Sequence, residues 1–151
     1  MLLDSLLVPE TVVRPRSFVG LMALYESNYL RILRVIPEID RLDGCFQSRV
    51  AGDCDLYVEI IERNRYTVTL SLTYHLPTDD GLLIDPDMMV RVYLDGQQAE
   101  VLAIGERQRH TALRRLVLAH RGELDRRWRS NMILNKWLEY LVDQGHLILE
   151  H

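Results

Sequence analysis

The stretch "VRVYLDGQQAEVL", Val90 to Leu102, brings together a guanidinium, a phenol and two carboxylates: Arg91, Tyr93, Asp95 and Glu100. Such a set could hold an anionic ligand, pass a proton, or only staple a hairpin. Asp95-Gly96 favours a type I′ turn between two alternating runs. Taking that pair as the loop sets Tyr93 opposite Gln98, Val92 opposite Ala99, Arg91 opposite Glu100 and Val90 opposite Val101. The four apolar residues then share a core face, and Arg91 meets Glu100 on the other. An exposed cross-strand ion pair of this kind contributes about 0.2–1 kcal/mol and helps set register. The spacing explains the cluster without a reaction, and it leaves Arg91, Tyr93 and Glu100 as a polar surface open to a partner.

Two amides suggest a different chemistry. Asn28 falls on the apolar stripe of a predicted helix, three residues after Tyr25, and Asn131 lies three residues before Leu134 on another. A buried amide must be hydrogen-bonded. Each side chain therefore ties to a strand carbonyl or caps a helix, or the two line a small polar pocket for a ligand. Asp79, Asp80, Asp85 and Asp87 crowd one stretch, but their spacing fits no calcium loop. His75, His110, His120 and His146 form no HxxxH or HxH pair, and no nucleophile elbow, phosphate loop or dinucleotide fingerprint occurs. No metal or cofactor is expected, and the pattern leans away from an enzyme.

Charge is uneven along the chain. Residues 1–105 carry nine arginines against sixteen acids, whereas residues 106–151 carry eight arginines and Lys136 against six acids. The basic excess sits in "RQRHTALRRLVLAHRGELDRRWR", where Arg114, Arg115 and Arg121 lie close together on a helical wheel. Arginine forks suit carboxylate and phosphate. The segment is a second candidate partner surface, for protein or weakly for RNA through residues 107–129. The overall charge of −4 argues against general polyanion binding.

These residues need elements to position them. Ser17 precedes Phe18, Leu21, Met22, Tyr25, Tyr29, Ile32, Leu33 and Ile36, a helical stripe capped by Ser17 and stopped at Pro37. Alternating runs over Phe46–Ala51, Cys54–Glu62 and Tyr66–Tyr74 predict strands. A three-residue loop, Arg63 to Arg65, sets Ile60 against Val68, Val58 against Leu70 and Leu56 against Leu72, burying like with like. "HLPTDDGLLIDPD", His75 to Asp87, is too rich in Pro, Asp and Gly to continue a sheet and is expected to be a loop. Ala112–His120 predicts a helix. After a break near Gly122, Trp128, Leu134, Trp137, Leu138 and Leu141 draw another, ending at Gly145.

The expected fold is α+β: an N-terminal helix, a five-stranded antiparallel meander, and C-terminal helices packed on one sheet face. Residues 17–148 form the domain, residues 1–16 an arm, and residues 149–151 read as an expression-tag remnant. No run approaches the roughly 20 apolar residues of a membrane span, and the start lacks a secretory pattern. Cys45 and Cys54 are too few for a disulfide framework or a zinc site, and they read as reduced thiols of a cytoplasmic protein.

"YESNYLRILRVIP", "ERNRYT", "MMVRVYLDGQQAEVL" and "NMILNKWLEYLVDQG" together resemble the YqiB-like proteins, an uncharacterised bacterial domain family. The likeness covers about residues 18 to 147. It runs through Asn28 and Pro37, through Arg65, Tyr66 and Thr67, and through Val90, Arg91, Tyr93, Asp95, Ala99, Glu100 and Val101. It ends with Asn131, Leu134, Trp137, Leu138, Tyr140 and Gly145. The resemblance implies a cytosolic bacterial protein, and it carries over no catalytic residues. The function expected is a non-catalytic binding or accessory domain working through a protein partner or self-association. The alternatives are an enzyme or sensor for a small anionic metabolite or nucleotide at Asn28 and Asn131, and weak RNA binding.

Overall fold

A computed structural model describes residues 17–78, 81–104 and 123–150. Helix α1, Phe18–Val35, starts where expected: the Ser17 side chain accepts a hydrogen bond from the Gly20 N–H at 3.0 Å, occupying one of the donors a helix start leaves free. It stops before Pro37, because the residue ahead of a proline is crowded out of helical geometry. Five antiparallel strands follow: β1 (Cys45–Ser48), β2 (Asp55–Arg63), β3 (Thr67–Thr78), β4 (Gly81–Tyr93) and β5 (Gln98–Ile104), in spatial order β1-β2-β3-β4-β5. Helix α2, Glu123–Gln144, closes the domain, and Gly145 at φ 94° takes the left-handed residue that ends it. The α+β meander with terminal helices on one sheet face is thus the observed architecture. The predicted helix over 112–120 and the arm over 1–16 lie outside the described residues.

Alternation along the strands builds the core. Leu56, Val58, Val68, Leu70, Leu72, Met88, Val90, Val92, Ala99 and Val101 all point to the helix side. There they meet Ile32 and Val35 of α1 and Leu134, Leu138 and Leu141 of α2. A smaller cluster of Leu21, Leu24, Tyr25 and Trp128 joins the two helices beyond the sheet. The loop after α1 is locked by Arg63, whose guanidinium donates to the carbonyls of Ile39, Asp40 and Leu42.

Three expectations need correction. The β2–β3 register pairs Leu56 with Tyr74, Val58 with Leu72 and Ile60 with Leu70. Arg63 pairs with Val68 and the Asn64 N–H bonds the Thr67 carbonyl, so the turn falls at Arg65-Tyr66 and not at Arg63–Arg65; the bulge between Ile60 and Glu62 then restores the face each residue was expected to occupy. The stretch His75–Asp87 contains paired strand: His75 faces Ile84, Leu76 faces Leu83 and Pro77 faces Leu82. Past the Asp55–His75 pair β3 has no partner in β2, and before Met88 β4 has none in β5. Pro77 therefore forfeits no bond on that side, which is why a proline is tolerated in a two-stranded ribbon and not in a sheet centre. Third, the Asp95-Gly96 turn is not type I′. The pairing from Tyr93–Gln98 to Val90–Val101 is as expected, but the connection is four residues, Leu94–Gln97. Its positive φ, 56°, falls on Gln97 and not on Gly96.

Left-handed backbone costs an L-residue roughly 1–2 kcal/mol, partly offset by the chain freedom a glycine gives up on folding. Gln97→Gly is accordingly expected to stabilise the protein by up to about 1 kcal/mol, read as a raised urea midpoint with unchanged slope.

Candidate functional site

Asn28 and Asn131, remote in sequence, meet in the interior: Asn28 Nδ2 donates to Asn131 Oδ1 at 3.1 Å, and both residues are fully buried. Asn131 Oδ1 also accepts the Val101 N–H of β5 at 2.9 Å, and Asn28 Nδ2 reaches the Ala99 carbonyl at 3.5 Å. Asn131 Nδ2 donates one turn back to the Arg127 carbonyl at 2.8 Å. Asn135, not singled out from sequence, donates to Asn28 Oδ1 at 3.0 Å and to Ser27 Oγ at 2.9 Å. Its signal was available, since Asn135 follows Asn131 by four residues and must share its helix face. The outcome is a ladder of amides from α1 through α2 to the outer edge of β5. Nearby, Arg31 and Glu139 pair across the helices at 3.1 Å with the guanidinium almost fully buried.

A second buried cluster gave no sequence signal at all. His146, just past α2, sets Nδ1 2.9 Å from Ser48 Oγ and Nε2 2.8 Å from Asp53 Oδ2. Tyr74 O–H donates to Asp53 Oδ2 at 2.7 Å, and Tyr140 O–H to Oδ1 at 3.3 Å. Ser, His and Asp in contact invite comparison with a hydrolytic triad, but the roles do not fit. Ser48 Oγ already accepts the Leu147 N–H at 3.2 Å, and the Ser48 residue is only 6% exposed. Both imidazole nitrogens are thus engaged, Nδ1 with Ser48 and Nε2 with Asp53. The cluster is a clasp that seats the chain end: Ile148 N–H donates to the Val35 carbonyl at 2.8 Å, and its side chain enters the main core.

Burial acts to raise the Asp53 pKa, but hydrogen bonds from Tyr74 and His146 outweigh it and leave the carboxyl below its ordinary 3.8. Burial and the bond to Asp53 push the Tyr74 phenol well up. Burial, then the Asp53 and Asp55 carboxylates, push up the Cys54 thiol, the opposite of what a reactive cysteine needs.

The third feature is the sheet face that the helices leave open. Cross-strand partners share a face, so register assigns to it Gln47, Asp55, Tyr57, Glu59, Glu62, Thr69, Ser71, Thr73, His75, Asp87, Met89, Arg91, Tyr93, Gln98 and Glu100. Arg91, Tyr93 and Glu100 thus sit together as expected. The Arg91–Glu100 pair is in register but not stapled: Arg91 Nε donates to Thr69 Oγ1 at 3.2 Å, whereas Glu100 takes the Tyr93 O–H at 2.9 Å and Arg127 at 3.4 Å. Burial, then the bond to Glu100, raises the Tyr93 pKa. Thr73 donates to Asp87 at 3.3 Å, and Tyr57 stacks on His75 with ring centroids 3.7 Å apart. Arg114, Arg115 and Arg121 lie outside the described residues, as do Asp79 and Asp80.

Among the described residues, no group of three or more His, Cys, Asp and Glu side chains is arranged to hold a metal ion, and no helix is long and apolar enough to cross a membrane. The protein is a meander sheet, sealed by helices on one side and polar on the other. The model of the family described as protein of unknown function (DUF1249) matches residues 31–147, and the chain belongs to that family. Comparison with curated proteins and with solved structures gives no match.

Two outcomes test the buried clusters. Asn131→Leu strips the Val101 N–H and Asn28 of an acceptor. At about 1–3 kcal/mol per buried group left unpaired, it should destabilise by roughly 2–4 kcal/mol and speed hydrogen exchange at the Val101 amide. For the clasp, the sign follows from the folded Asp53 pKa lying below its unfolded value. Its contribution is complete above about 3.8 and fades as pH falls through the folded pKa. Wild type minus Asp53→Asn, measured by urea unfolding, should therefore show a stability advantage near neutral pH that shrinks below pH 3.8.

Proposed function

We propose that this is a non-catalytic, cytosolic binding domain that engages a basic protein partner through the helix-free sheet face. One observation carries the proposal: register assigns five carboxylates to that face, Asp55, Glu59, Glu62, Asp87 and Glu100, and one guanidinium, Arg91. Arg49 and Arg127 reach in from outside the sheet to Asp55 and Glu100, and among the described residues the acids still outnumber the bases. An acidic, polar platform attracts cationic segments and repels phosphate backbones. Self-association through the same face is disfavoured, because a two-fold dimer would set acid against acid.

The other sequence-derived candidates contribute less to this reading. We assign Asn28 and Asn131 to architecture and not to a metabolite pocket, since their amides are spent on each other, on Asn135 and on β5. Exposed Cys45 and partly buried Cys54 are both free thiols, in keeping with a reducing compartment. RNA binding through residues 107–129 rests on a stretch mostly outside the described residues.

Fluorescence anisotropy with a lysine-rich peptide, its glutamate counterpart and a single-stranded RNA tests the proposal. The basic peptide should bind, salt should weaken it, and Glu59→Gln with Asp87→Asn should weaken it several-fold, with light scattering reporting a monomer throughout. RNA binding tighter than peptide binding, or a dimer that the double variant dissolves, would refute it.

A further inference from the structure

The open face is not uniform, and its β2–β3 half carries a feature that the acidic charge alone does not explain. Tyr57 and His75 lie on neighbouring strands, one register step apart, and their rings stack at 3.7 Å with planes 24° from parallel. Gln47 Nε2 fixes the phenol end, donating to the Tyr57 hydroxyl oxygen at 2.9 Å and to Asp55 Oδ2 at 3.2 Å. Asp55 is the direct strand partner of His75, Thr73 is the partner of Tyr57, and Asp87 is the partner of Thr73. Carboxylates therefore flank the stack on both sides, with Glu59 two residues beyond Tyr57 on the same face. The chain itself already brings one guanidinium here: Arg49 Nε lies 3.3 Å from Asp55, with its side chain 73% exposed.

Resting on the reading of this face as a binding surface for a basic partner, we infer that the Tyr57–His75 stack is the seat of an arginine side chain from that partner. A guanidinium is planar, stacks on an aromatic ring and forks to carboxylates at the same time, whereas an ammonium offers only a point charge. Aromatic rings flanked by Asp55, Glu59 and Asp87 present both halves of that recognition. A nucleobase could use the rings, but its phosphates would meet the same three carboxylates.

Two labelled peptides, identical except that arginine in one replaces lysine in the other, separate this inference from the function it rests on. Anisotropy with the full-length protein should show the arginine peptide binding about three- to ten-fold more tightly. Tyr57→Leu should erase that preference while leaving lysine-peptide binding in place, and Tyr57→Phe, which keeps the ring, should retain it. Circular dichroism confirms that each variant is folded. Equal binding of the two peptides by the wild type, or a preference that survives Tyr57→Leu, overturns the arginine seat and leaves the acidic face standing. If neither peptide binds, or single-stranded RNA competes both away, the binding face fails and the arginine seat with it.

Discussion

β5 has a neighbour on one side only, and the helices cover its other edge. The Ala99 carbonyl and the Val101 N–H there must be hydrogen-bonded inside the protein. Asn28 and Asn131 answer that demand as a missing strand would, one side chain supplying a donor and the other an acceptor. Because the two amides also bond each other and Asn135, a single network sets the rotation of both helices and their height along the strand. A buried polar chain of this kind is costly unless complete, so it tolerates one arrangement of α1, α2 and β5. It also closes an edge that would otherwise invite strand pairing between molecules.

From that constraint follows the asymmetry of the sheet. Both helices are tied to the β5 side, and their apolar stripes cover one face with a continuous core from Leu56 to Val101. The other face keeps its threonines, tyrosines and carboxylates, and many are bonded to one another. In the Ser48–His146–Asp53 contact, likewise, each polar side-chain atom is engaged with a neighbour.

The clasp gives the chain end a structural role. Residues 146–148 continue past Gly145 into the space between α1 and β1, with Ile148 in the core and Leu147 N–H on Ser48. Arg63 does comparable work at the loop after α1, its guanidinium holding the carbonyls there.

Local rules of the chain were enough for much of this. Ser17 as cap, Pro37 and Gly145 as stops, the stripes of α1 and α2 and the Val90–Val101 pairing are all short-range consequences of side-chain shape and period. The Asn28 and Asn131 positions were legible for the same reason, an amide on an apolar stripe. Their partners were not: which groups an amide meets depends on how two helices cross β5, and no local pattern encodes that. Pro77 within a strand, the bulge near Ile61, the positive φ at Gln97, and the union of Ser48, Asp53, Tyr74 and His146 were likewise settled by tertiary packing, because each depends on whether a neighbouring strand or chain end is present to supply or withhold a bond.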